Sequence, residues 1–109
     1  MLSKEELLKK IEAGNFIQNN GTVLRTINIL RHTYNKLGTI KMALDDMPED
    51  EMLDCVNYLY ESDYIHLRDI NTKLDSSLAD NDYKSLEAKL TAKGIQLLAG
   101  KLKDECIIV

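Results

Sequence analysis

Hydrophobic residues recur at helical spacing as far as Asp63, then at every second position, and at helical spacing again after Thr91. A chain that changes period twice can be neither a plain helical bundle nor an all-β barrel, because each period commits its residues to one backbone geometry. The order implied is helices, a pair of strands, and a closing helix: mainly α with a small β-hairpin, in the α+β class. With 109 residues, of which 44% are hydrophobic and 29% charged, the chain has material for one modest core.

Ser3 followed by Glu6 forms a capping box ahead of Leu7, Leu8 and Ile11, and Gly14 offers a stop, so residues 3–13 are expected as a short amphipathic helix. NFIQNNG (15–21) has the composition of a connector. Val23, Ile27, Leu30 and Tyr34, widened by Leu24, predict a helix from Thr22 to Asn35 that Gly38 ends. Thr39 can cap a second helix with Ile40, Ala43, Leu44 and Met47 facing inward. Pro48 opens a third helix at a position where a missing N–H costs nothing, and Met52, Leu53, Cys55, Val56, Leu59 and Tyr60 supply its buried side. YIHLRDI (64–70) and SLEAKL (85–90) alternate as strands, and the polar stretch 71–84 between them suits a projecting loop. Thr91 then caps a last helix that carries Ile95, Leu98 and Leu102 on one face. The domain limits expected are 1–21 for the N-terminal helix and connector, 22–103 for the main domain with its hairpin at 64–90, and 104–109 for a β-prone tail.

Helix, helix, helix, strand, long loop, strand, helix is the order of a winged helix-turn-helix domain. YLYESDYIHL resembles that superfamily's passage from third helix into first wing strand, and LTAKGIQLL resembles its "LTxxGxxLL" passage into the closing helix. The resemblance covers residues 22–102 and is shared by regulators of the MarR and PadR type. LTAKGIQLLAGKL with its acidic and aliphatic end is also similar to small winged-helix proteins of Mu-like prophages. The fold so implied is a winged helix with an extra N-terminal helix, and the function so implied is binding in transcription regulation.

The resemblance also implies that the third helix enters the major groove of double-stranded DNA, with Glu49, Asp50, Asp54, Asn57, Tyr58 and Glu61 on its outward side. Here the chain departs from the pattern. PEDEMLDCVNYLYESD (48–63) holds six acids and neither Lys nor Arg, whereas DNA affinity comes largely from cations that replace counterions at phosphates. At ~10 Å in water each acid–phosphate pair costs about 0.4 kcal/mol before screening. Glu49, Asp50 and Glu51 also have a local role, since acids in a first turn favour the helix dipole. A DNA contact could instead run through Lys36, Lys41, Arg68, Lys73, Lys84 and Lys89, near the second helix and the wing, holding phosphates without reading sequence; the plainer alternative is solubilising lysines scattered among Asp75, Asp80, Asp82 and Glu87. Lys93 lies nearby, while Arg25, Arg31 and His32 form an ordinary exposed face. The competing expectation is a protein-binding module that shows the acidic third helix to a basic partner protein.

The net charge of −4 gives no average attraction to nucleic acid or anionic lipid. No run approaches the roughly 18 apolar residues of a membrane span, and no export signal precedes the first helix, so a cytoplasmic protein without membrane contact is expected. Cys55, Cys106, His32 and His66 lack metal-site spacing, and no phosphate loop or nucleophile elbow is present. Neither metal, cofactor nor enzymatic activity is expected. Cys106-Ile107-Ile108-Val109 has the outline of a prenylation signal but no polybasic run before it, and a terminal strand or partner contact is the expected use. Apolar residues on 3–13 and 102–109, beyond the needs of the compact domain, predict a homodimer.

Overall fold

The computed structural model describes residues 2–109. Four helices and a small three-stranded antiparallel sheet form one α+β unit: α1 (Lys4–Ile27), β1 (Asn35–Lys36), α2 (Leu37–Ala43), α3 (Glu49–Glu61), β2 (Ile65–Asp69), β3 (Leu86–Leu90) and α4 (Ala92–Leu98). The core lies between α1, α3 and the inner face of the sheet, built from Val23, Leu24, Ile27, Leu37, Met52, Val56, Leu59, Leu67, Leu86 and Leu97. Among the described residues no helix is long and apolar enough to cross a membrane.

The two helices expected at 3–13 and 22–35 are one. The Ser3 hydroxyl accepts from the Glu6 amide at 3.1 Å, as the capping box requires, but the helix runs through Gly14 and the supposed connector to Ile27. A mid-helix glycine costs only about 1 kcal/mol against alanine. Residues 15–21 recover more than that, because Phe16, Asn20 and Gly21 lie on the side that meets α3 and the C-terminal tail. At its other end the helix stops earlier than expected. A 3-10 turn at Asn28–Leu30 and Arg31, with a left-handed φ of 42°, redirect the chain. The Asn35 side chain donates to the Ile27 carbonyl, closing the end of the helix, and Asn35 and Lys36 go into the sheet. Leu30 is left exposed, and Tyr34 half-buried.

Helix α2 begins at Leu37 with Lys36 as its cap residue, so Gly38 and Thr39 fall inside it. Ile40 is buried and Leu44 and Met47 half-buried, while Ala43 faces solvent. Helix α3 begins at Glu49 with Pro48 as its cap residue and buries Met52, Cys55, Val56 and Leu59, while Leu53 and Tyr60 are half-buried.

The sheet order is β1-β3-β2, with Ile65 opposite Leu90, Leu67 opposite Ala88 and Asp69 opposite Leu86. Residues 70–84 do not project. The Asp69 carboxylate accepts from the Asn71 and Thr72 amides at 2.8 and 2.9 Å, the backbone at Asp75 pairs antiparallel with that at Arg68, and a 3-10 turn at Tyr83–Ser85 packs the loop back on α2, with Leu78 and Tyr83 against the core. Thr91 caps α4 through the Gly94 amide. Leu97 takes the buried place on α4, Leu98 and Leu102 are half-buried, and Ile95 is exposed. A Cβ at Gly94 would run into the Tyr64 carbonyl, which is the packing reason for glycine in LTAKG.

The tail is not a strand. It lies along α1 and is fastened at several points: Tyr58 and Tyr64 donate their hydroxyls to the Asp104 carboxylate at 2.9 and 2.8 Å, and the Asn20 amide donates to the Cys106 carbonyl at 2.9 Å. Ile107 joins the core, and the Arg25 guanidinium donates to the Ile108 carbonyl at 3.3 Å.

Candidate functional site

Helix α3 turns its apolar side inward and thereby turns Glu49, Asp50, Asp54, Asn57 and Glu61 to solvent. Among the described residues there are only two ion pairs, and neither involves an α3 acid. Glu49, Leu53, Asp54 and Asn57 form one wall of a groove of about 710 Å3, and Leu78, Ala79, Tyr83 and Lys84 of the folded-back loop form the other. Tyr83 sits beside Glu49, whose carboxylate raises the phenol above its usual range. A second groove starts at Asp54 and passes Asp50 and Glu51 to Glu12 and Phe16 of α1. A third adds Asp45, Asp46 and Met47 from the turn before α3. The carboxylates thus form a belt around the N-terminal end of α3, set among apolar patches at Leu53, Leu78 and Met47.

Tyr58 does not belong to this surface. Its ring meets Phe16 edge-on with centroids 5.5 Å apart, and its hydroxyl is taken by Asp104. Burial and the Asp104 hydrogen bond both push the Tyr58 phenol upward; the same causes raise Tyr64 to about 12. Burial alone would raise the Asp104 carboxyl, but the Cys106 amide and the Tyr64 and Tyr58 hydroxyls outweigh it and hold the carboxyl below its ordinary value.

Of the six basic residues expected at a nucleic-acid contact, four share the outer face of the sheet. Strand register sets Lys36 and Arg68 on either side of Glu87 and puts Lys89 opposite His66; Lys73 reaches the same face from the loop. Two of the four are already engaged. Glu87 is almost fully buried and takes the Arg68 guanidinium at 2.7 Å and the Lys73 ammonium at 3.2 Å, while the guanidinium carbon of Arg68 also lies over the Tyr34 ring, 3.6 Å from its centre. Burial pushes the Glu87 carboxyl up, but Arg68 and Lys73 pull it further down. Lys36 and Lys89 are left with water. Lys41 is elsewhere, its ammonium donating to the Leu44 carbonyl, and Lys84 belongs to the α3 groove.

Cys55 is sealed in the core, and burial, followed by the charges of Asp54 and Glu51, pushes its thiol up to about 12. A thiol held protonated is not a nucleophile.

Glu87 and Asp104 were not singled out by sequence. For Glu87 a signal existed: an acid between Leu86 and Ala88 on a strand, with Arg68 on its hairpin partner. Asp104 lies 46 positions from Tyr58 and 40 from Tyr64, and no local pattern joins them.

No family model matches this chain, and neither a curated protein nor a solved structure matches it.

Proposed function

We propose that this protein is a winged helix-turn-helix module of the transcription-regulator kind whose third helix has been turned to protein contact, gripping a basic segment of a partner in the acidic belt around α3. The element order, and a hairpin that sits after the third helix, support the winged-helix part of the reading. The observation that carries the rest is that Glu49, Asp50 and Asp54 face solvent and form no ion pair among the described residues, with Lys84 lining the groove beside Glu49 and Asp54. A lysine- or arginine-rich segment can lay its aliphatic stems on Leu53 and Leu78 and its charged ends on these carboxylates. Phosphates at the same place would be repelled. Such a module works in the cytoplasm, where Cys55 and Cys106 remain free thiols.

A second reading has its own observation: Lys36, Arg68, Lys73 and Lys89 gather on the outer face of the sheet. On that reading the wing holds duplex DNA by its phosphates while α3 stays clear. A single titration series separates the two, using a lysine- and arginine-rich peptide and mixed duplex DNA at low salt. The first reading expects peptide binding that Glu49→Lys with Asp50→Lys and Asp54→Lys abolishes, and no retention of DNA. DNA binding that Lys36→Glu with Lys89→Glu weakens, with no peptide binding, would overturn it in favour of the second.

A further inference from the structure

The N-terminal half of α1, from Lys4 to Gly14, is exposed at every position, and it extends a molecule measuring 52 × 31 × 22 Å. Its Leu7, Leu8 and Ile11 are about half exposed, at 51, 49 and 50%. At about 100° per residue these three lie on the side of α1 opposite Asn20, Val23, Leu24 and Ile27, which face the core. The chain's own body therefore cannot cover them while α1 remains a straight helix. Two turns beyond Leu7 on the same side is Gly14, where an added Cβ would touch nothing, and beside it runs a shallow groove edged by Ile11, Ile17 and Ile108, the last 54% exposed. Knob and gap thus occur together on one surface, which is the condition for a two-fold contact.

We propose that two copies of this chain pair through these arms, antiparallel about a two-fold axis, each setting Leu7 in the gap over Gly14 of the second copy. The same register sets Leu8 of one arm opposite Ala13 of the other, brings the two Ile11 side chains together beside the axis, and puts Lys4 across from Ile17. The antiparallel sense follows from charge, since a parallel pair would set Lys4 against Lys4 in the seam.

An arm of about 16 Å makes a small interface, so self-association is expected at about 10–100 µM. Sedimentation or light scattering up to about 1 mM should show the mass rise from 12.4 kDa toward twice that value, and Leu7→Glu with Ile11→Glu should abolish the rise. Both residues lie outside the core, so far-UV circular dichroism of that variant should stay that of the folded protein. For orientation, a Leu7→Cys protein is mixed with a Gly14→Cys protein, both carrying Cys106→Ser, and oxidised mildly. The expected product is the mixed disulfide in preference to the Leu7→Cys homodimer, since only close Cα pairs can bridge. A monomer at all concentrations overturns the proposal, as does a dimer that survives the double glutamate variant or a product dominated by the Leu7→Cys homodimer.

Discussion

Asp104 binds together parts of the chain that sequence keeps far apart, and it does so as a carboxylate. Tyr58 and Tyr64 donate to it from the end of α3 and the start of the hairpin, and the Cys106 amide donates from the tail itself. Because its folded pKa lies below the ordinary carboxyl value, the stability it contributes is fully present above that ordinary value and is lost as pH falls through the folded one. Glu87 behaves in the same sense. Tyr64, raised to about 12, contributes below its ordinary 10 and loses that contribution as pH climbs from 10 toward 12. Asp104→Asn is expected to cost about 1–3 kcal/mol at pH 7 and to flatten the decline in stability below pH 4. Urea denaturation of both proteins at pH 7 and pH 3 checks this, and equal slopes against pH would exclude the role given to Asp104. None of this was legible beforehand, because side-chain bonds across more than forty positions leave no periodic trace.

Elements were legible where their ends carry their own chemistry. Pro48 with three acids behind it marked α3, Thr91 marked α4, and alternation marked β2 and β3. Reading failed where packing overrode local preference. Gly14 and the asparagines after it read as a break, yet Phe16, Asn20 and Gly21 are held in α1 by α3 and the tail. At two residues, β1 is too short to show alternation, and only its pairing with Ala88 and Glu87 reveals it. Of the candidate site, the solvent-facing side of α3 could be read from helical periodicity, but Tyr58 points inward, Arg68 and Lys73 are taken by Glu87, and Lys41 and Lys84 lie away from the outer face of the sheet. Gly21 tests the role of packing in α1, because a Cβ there would run into the Ile108 carbonyl. Gly21→Ala is expected to destabilise by about 1–3 kcal/mol despite alanine's better helix propensity. Thermal melting would show a lower midpoint, and a midpoint above that of the parent would mean that the tail does not hold α1.

For the whole molecule, charge is arranged unevenly: carboxylates ring the N-terminal end of α3, while Lys36 and Lys89 stand unengaged on the sheet's outer face. Clustered like charges work against compactness at low ionic strength, within about a Debye length of one another. Moderate salt is therefore expected to raise the urea midpoint while leaving the slope unchanged, the reverse of what a fold tied by surface ion pairs would do. A midpoint that falls with salt would mean that the α3 acids are paired in solution. The placement of Ile107 under α1 has a further result for biosynthesis. Residues 104–108 are synthesised well after α1 and α3, so the seam between the first and third helices stays open until that segment has been made. The helices and hairpin can form before that strap is in place, and until it docks the side of the core under Ile107 stays open to water.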